Sequence, residues 1–234
     1  MKIEGSIALV TGANRGLGLA YAKALLDAGA RKVYAGARDP ASVKLAGVVP
    51  IKLDVNDPHD VAEAARIASD VNIVINNAGI LRSGALLSEQ GSSVIREQLD
   101  TNFYGVLAMS RAFAPVLRAN GGGALVNMLS ALSWVSLPNS GAYSISKAAA
   151  WALTNGLRNE LRGQGTLVVG VHAGYIDTDM VAAVTEAKTK PEVIAQRTLE
   201  AILAGREEVL ADETAQHVKK NLVSEPPIYI GAAA

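Results

Sequence analysis

Cysteine is absent from this 234-residue chain, which excludes a disulfide framework and thiolate catalysis. Histidine is nearly as scarce: His59, His172 and His217 stand far apart without metal-ligand spacing, so no metal site is expected. Net charge is missing too, because 22 Lys plus Arg face 22 Asp plus Glu and no basic run makes a local field. Nucleic acid and membrane are therefore not expected partners. Aromatics are 4% of residues, no repeat or low-complexity tract interrupts the chain, and the GGG triplet at 121–123 reads as a turn. Long hydrophobic runs are lacking as well. In the N-terminal "MKIEGSIALVTG" the apolar stretch at 7–10 is too short for a signal peptide or a spanning helix. These absences point to a soluble, unprocessed, cytoplasmic protein that handles a small molecule. Half of the residues are hydrophobic, enough for one substantial core, so residues 1–234 are expected to form a single domain.

What is present is an alternation of short β-branched runs with longer segments of helical period. The candidate strands are "IALVT" from Ile7, "KVYAGA" from Lys32, "VVPIKL" from Val48, "NIVIN" from Asn72, "ALVNM" from Ala124, "LVVGVH" from Leu167 and "EVLA" from Glu208. Most are apolar at consecutive positions, which suits strands covered on both faces by helices. The pattern predicts an α/β fold, a Rossmann-type doubly wound sheet of about seven parallel strands. A (β/α) barrel would need one more unit and usually a longer chain. Asp39-Pro40 and Asp57-Pro58 each offer a capping carboxylate followed by proline at a first helical position.

The first strand runs directly into "TGANRGLG", and a helical pattern follows over 17–28. Gly12 lets the chain turn sharply, Gly16 lets backbone approach a pyrophosphate, and Gly18 permits close helix-to-strand contact. The helix N-terminus presents free N–H groups to the anion. Gly12, Asn14, Arg15, Gly16 and Leu17 are thus candidate dinucleotide contacts. After the second strand, where an acid would bind the ribose 2′-OH of NAD, the chain has Ala37 and Arg38. Arg38 and Arg15 together suit a 2′-phosphate dianion, so NADP(H) is preferred, with NAD(H) as the alternative cofactor. Asp39 reads as a helix cap rather than a ribose ligand.

Five features occur in order: "TGANRGLG", "NNAG" from Asn76, Asn102 within "DTNFYG", Ser130 thirteen residues before the "YSISK" that begins at Tyr143, and "AGYIDTDM" from Ala173. Alone, YxxxK is weak, since six tyrosines and ten lysines in 234 residues give about one chance match in four. The ordered set resembles the short-chain dehydrogenase/reductase family over about residues 5–180. The resemblance implies a catalytic group of Ser130, Tyr143, Lys147 and Asn102. Tyr143 would pass a proton to or from the substrate oxygen, and Lys147, four residues on, would lower its pKa and bind the nicotinamide ribose. Ser130 would hydrogen-bond the same oxygen, and Asn102, in a helix beginning near Ser92, would support a water chain from Lys147. Asp54 and Val55 would meet adenine, Asn77 and Gly79 the adenosine side and its ribose, and Ile176 and Thr178 the carboxamide. Ala173 stands where the family usually has proline, and the loop should be looser for it. His172 reads as a residue packed beneath that loop, not as a catalytic group.

The implied activity is NADP(H)-dependent hydride transfer to a ketone or aldehyde, or from a secondary alcohol. An NADP-binding redox sensor without turnover is the reading from another class, and an epimerase/dehydratase is less well supported because its glycine spacing differs. Leu81, Leu132, Trp134, Leu137, Tyr175, Met180 and Val181 form an apolar set favouring a hydrophobic carbonyl substrate. A small mobile substrate loop is expected over about 175–192, and an apolar tail over about 224–234. A homo-oligomer is expected, tetramer or dimer.

Overall fold

A computed structural model gives the fold, and residues 1–230 are described. The proposed tail therefore lies partly, at 231–234, outside the described residues. Seven parallel strands form one sheet: β1 (Ile7–Thr11), β2 (Lys32–Ala37), β3 (Val49–Lys52), β4 (Ile73–Asn76), β5 (Gly123–Met128), β6 (Thr166–His172) and β7 (Glu208–Leu210). Their order is β3-β2-β1-β4-β5-β6-β7. The chain steps outward from β1 to β3, then returns to the other side of β1 with β4. That reversal opens a crevice beyond the carboxyl ends of β1 and β4, where open α/β sheets bind ligands. The sequence places "TGANRGLG" after β1 and "NNAG" at the end of β4, so both motifs converge there.

Helices cover both faces. On one side α1 (Gly16–Asp27) packs against α6 (Pro191–Ala204), burying Tyr21, Leu25, Ile194 and Ile202 over β1, β4 and β6. On the other, α2 (Pro58–Ile67), α4 (Gly105–Ala119) and α5 (Gly141–Leu161) close over Leu9, Val74 and Leu125, with Met109 and Phe113 at the centre. The central strands are buried at every position, as consecutive apolar residues require. Strand β3 departs from this pattern, with only Ile51 buried, because it is the sheet edge and has Pro50 where a paired interior strand could not. Asp57 caps α2 through the His59 N–H, whereas Asp39 caps only a single 3₁₀ turn at Pro40–Ser42.

The helix expected to contain Asn102 is broken. It begins at Gly91 as α3 (Gly91–Leu99), passes through a π-helical turn at Asp100–Tyr104, and continues as α4. The Gly105 N–H reaches back five residues to the Asp100 carbonyl. A side chain at Gly105 would strike Val55, whose Cγ2 lies 2.7 Å from the Cβ position. At the far end α7 (Glu213–Lys220) follows β7, so the chain passes from helix to strand to helix there.

Candidate active site

The glycine turn has the shape that a dinucleotide needs. Gly12 and Gly16 have φ of +65° and +53°, in the left-handed region, and a Cβ on Gly18 would stand 2.0 Å from the Gly12 carbonyl oxygen. No side chain caps the N-terminus of α1 and its first turn holds no acid, so its free N–H groups are open to an anion. Asn14 is half-buried in this turn and Leu17 is buried behind it. A pyrophosphate fits this cradle.

Thr11 and Asn77 fix the turn to the sheet. The Thr11 hydroxyl accepts the N–H groups of Asn77 and Ala78 at 3.0 and 2.9 Å, while the Asn77 amide donates to the Thr11 carbonyl at 2.9 Å. Asn77, expected beside the adenosine, thus spends its amide on holding β1 and β4 together at the crevice. Asp54 accepts the Asn56 N–H as a turn cap, and Val55 is buried against the π-turn. Arg38 is exposed just past β2. Arg15 does not turn toward Arg38. Its guanidinium pairs with Asp179 at 2.7 Å, and Thr178 leans over the glycine turn with its Cγ2 3.2 Å from the Gly16 Cβ position.

The four expected catalytic residues are brought to one place. The Tyr143 side chain, near the start of α5, is half-buried, with Ser130 close enough to its phenol to favour the ionised form. Ser130 follows β5 and caps a short turn, its hydroxyl accepting the Leu132 N–H at 3.1 Å and its own N–H donating to Ser133 Oγ. Lys147 lies one helical turn from Tyr143 and is buried, its ammonium donating to the Met128 carbonyl at 2.8 Å and standing 5.7 Å from the phenol ring centre. Burial pushes the Lys147 pKa down to about 8 and the Tyr143 pKa up to about 12, Ser130 pulling the latter back only in part. In the free protein loss of water therefore raises the tyrosine, where the sequence reading expected a lowering by lysine. Tyr143 is held as a protonated donor.

Asn102 serves this group through both amide atoms. Its oxygen accepts the Ile80 N–H at 2.8 Å, and its nitrogen donates to the Ile80 carbonyl and to Ser146 Oγ, both at 2.9 Å. A Cβ on Gly79 would lie 3.1 Å from the Asn102 oxygen and 3.8 Å from Lys147 Nζ, so the "NNAG" segment runs between the two. Both amide hydrogens of the side chain are thus engaged in holding Ile80 and Ser146.

Sequence reasoning missed the support beneath the post-β6 loop. Asp212, buried at the start of α7, accepts the Ala215 N–H at 2.8 Å as a cap and the Gly174 N–H at 2.7 Å. That bond, together with Thr214 packed on Gly174, restrains the loop that the loss of proline was expected to loosen. Ile176 pairs with Thr189 in a short parallel bridge, closing the base of the substrate loop. The acid of "LADET" signalled a helix cap, but nothing local indicated its second partner.

His172 lies wholly buried, with Nδ1 3.0 Å from the Ser130 carbonyl and Trp134 stacked on it at 3.9 Å. A carbonyl partner requires Nδ1 to hold the proton. Lys219 of α7 sits 4.8 Å above the Trp134 ring, so Trp134 is packed structure rather than an open substrate contact. The exposed large apolar side chains on these loops are instead Leu137 and Met180, together with Leu86 and Leu87, which the sequence reading did not select. The loops holding Leu86 and Leu137 are joined by the Gly84 N–H to Asn139 carbonyl bond. A hollow of about 390 Å³ near Asn72, Gly121 and Gly165 lies at the opposite ends of the strands, away from this chemistry. Among the described residues, no group of three or more His, Cys, Asp or Glu could hold a metal ion, and no helix is long and apolar enough to cross a membrane.

The family model for short chain dehydrogenases matches residues 6–189. The chain belongs to the short-chain dehydrogenase/reductase family. Among relatives of this family, it is 32% identical over 198 residues to the short chain dehydrogenase tazN of Aspergillus terreus, covering 77% of this chain but only 43% of that one. It is also 32% identical over 205 residues to the 3alpha-hydroxysteroid dehydrogenase of Mediterraneibacter gnavus, covering 82% of each. A crystal structure of a short chain dehydrogenase from Burkholderia cenocepacia in complex with NADP superposes with a TM-score of 0.92 at 40% identity, covering 97% of this chain and 96% of that one. The oxidoreductase fold and the family are thereby those of this short-chain dehydrogenase/reductase.

Proposed function

We propose that the protein is an NADP(H)-dependent carbonyl reductase or alcohol dehydrogenase acting on a hydrophobic ketone, aldehyde or secondary alcohol. The observation that bears most weight is the half-buried Tyr143 phenol, held close to Ser130 and beside the Lys147 ammonium. The nicotinamide, when bound, supplies the hydride to the carbonyl carbon. Tyr143 gives its proton to the carbonyl oxygen as the C–H bond forms, and takes one back in the oxidation direction. Ser130 Oγ donates a hydrogen bond to the same oxygen and holds the carbonyl in line. Lys147 stabilises the tyrosinate left behind and returns a proton toward it, while Asn102 fixes Ile80 and Ser146 around that lysine.

The cofactor contacts proposed are Gly12, Asn14, Arg15, Gly16, Leu17, Arg38, Asp54, Val55, Asn77, Gly79, Tyr143, Lys147, Ile176 and Thr178. NADP(H) is preferred because no carboxylate stands at Ala37 or Arg38, and a solved relative at 40% identity is described in complex with NADP. Arg38→Asp should reverse the preference toward NAD(H), measured as the ratio of the two dissociation constants; an unchanged ratio would remove the assignment. The exposed apolar side chains of Leu86, Leu87, Leu137 and Met180 support a hydrophobic substrate, with the loop near 175–192 over it. Exposed Tyr104 and Ile145, on the helices that position Asn102 and Tyr143, support a homo-oligomer, tetramer or dimer, and light scattering reads the mass directly. A cysteine-free chain suits the cytoplasm. NADPH oxidation against a panel of ketones, aldehydes, quinones and acyl thioesters tests the activity, and tight NADPH binding without turnover of any of them would favour the sensor reading.

A further inference from the structure

The crevice is spanned by one ion pair. Arg15 stands on the glycine turn and Asp179 on a 3₁₀ turn (Asp179–Val181) in the first part of the substrate loop, 164 residues on, with a separation of 2.7 Å. The loop is closed at its base, where the Asp177 N–H donates to the Thr189 carbonyl and the Thr189 N–H to the Tyr175 carbonyl. Its first arm is held over the turn by this pair and by Thr178 against Gly16, and Val181 beyond them is buried. Both charged side chains are largely in water, at 67% and 76% exposure, so the pair is weak and costs little to exchange.

We propose that Asp179 is a specificity-determining residue that competes with the cofactor's 2′-phosphate for Arg15. In the free protein the carboxylate holds the guanidinium across the crevice. A 2′-phosphorylated dinucleotide brings a dianion with three acceptor oxygens, which displaces a single exposed carboxylate from the same donor fork. An unphosphorylated dinucleotide offers nothing in exchange, and the pair persists. Cofactor choice and release of the first arm of the substrate loop are then one event. A buried, strong pair would bar the cofactor; a weak one distinguishes the two by charge. This inference rests on the reading of Arg15 as a phosphate contact.

The test is equilibrium titration of NADPH and NADH fluorescence with wild type, Asp179→Asn, Asp179→Glu, Arg15→Ala and the Arg15→Ala/Asp179→Asn double variant. Asp179→Asn should tighten NADPH by about two- to fivefold, the range of an exposed pair, and leave NADH unchanged. Asp179→Glu should keep the wild-type values. The gain should vanish in the Arg15→Ala background, since the competition needs both partners. Equal tightening of NADPH and NADH would make Asp179 a lock for either cofactor and overturn the proposal. So would a gain that survives Arg15→Ala, which would be a general field effect, or no gain at all. If wild type binds both cofactors alike, or Arg15→Ala leaves NADPH affinity intact, the phosphate reading of Arg15 itself fails, and the competition with it.

Discussion

Replacing Asp212 by alanine removes two acceptors at once. The side chain is buried, one oxygen capping α7 through Ala215 and the other holding the Gly174 N–H at 2.7 Å. Loss of a helix cap costs about 1 kcal/mol. An amide left without a partner costs about 1–3 kcal/mol, and the lower half applies here because Gly174 is only partly buried. The sum is about 2–3 kcal/mol, which for a chain of this length lowers Tm by about 5–10 °C. Asp212→Asn should fall between wild type and alanine, because its single carbonyl oxygen can serve one N–H while its amide nitrogen faces the other. Thermal unfolding followed by circular dichroism reads the stability. The loop between Gly174 and Thr189 should loosen in the same variants, so the NADPH dissociation constant should rise with the fall in Tm. An alanine variant that melts within a degree of wild type would refute the claim that Asp212 holds this loop.

Further consequences concern acid stability and the glycine turn. Burial lowers the His172 pKa from 6.5 to about 4, so the folded protein disfavours the imidazolium while the unfolded chain accepts it. The stability is present above pH 6.5 and is lost as pH falls toward 4, by about 3 kcal/mol in full. His172→Gln should flatten that part of the stability profile in urea titrations, and an unaltered slope would contradict it. Gly18→Ala places a methyl 2.0 Å from the Gly12 carbonyl oxygen and 2.7 Å from the Asn77 amide. NADPH binding should be lost in calorimetry, and wild-type affinity would show that the turn is not the cradle.

The seven strands, their parallel order and the glycine turn were legible because they depend on local signals: apolar runs, β-branched residues and glycine at fixed offsets. The edge position of the strand around Pro50 and the π-turn around Asn102 were not, since neither edge position nor a five-residue hydrogen bond leaves a periodic trace. Tyr143, Lys147 and Ser130 were found through the family resemblance of the ordered motifs, and the structure brings them together. Their electrostatics were not foreseen, because desolvation depends on segments such as "NNAG" that are distant in sequence. Asp212 and Asp179 escaped for the same reason: their partners, Gly174 and Arg15, lie 38 and 164 residues away. Trp134 looked like a substrate contact by composition and proved to be packed between His172 and Lys219.

The proton donor is the centre of the account, and Tyr143→Phe tests it most directly. With a ketone or aldehyde that wild type reduces, NADPH oxidation by this variant should fall by about two to four orders of magnitude, the usual contribution of a positioned acid. NADPH should still bind with an affinity close to that of wild type, since the turn, Lys147 and the Met128 contact are untouched. Turnover at the wild-type rate, with the phenol oxygen gone, would contradict the assignment of Tyr143 as the residue that protonates the substrate.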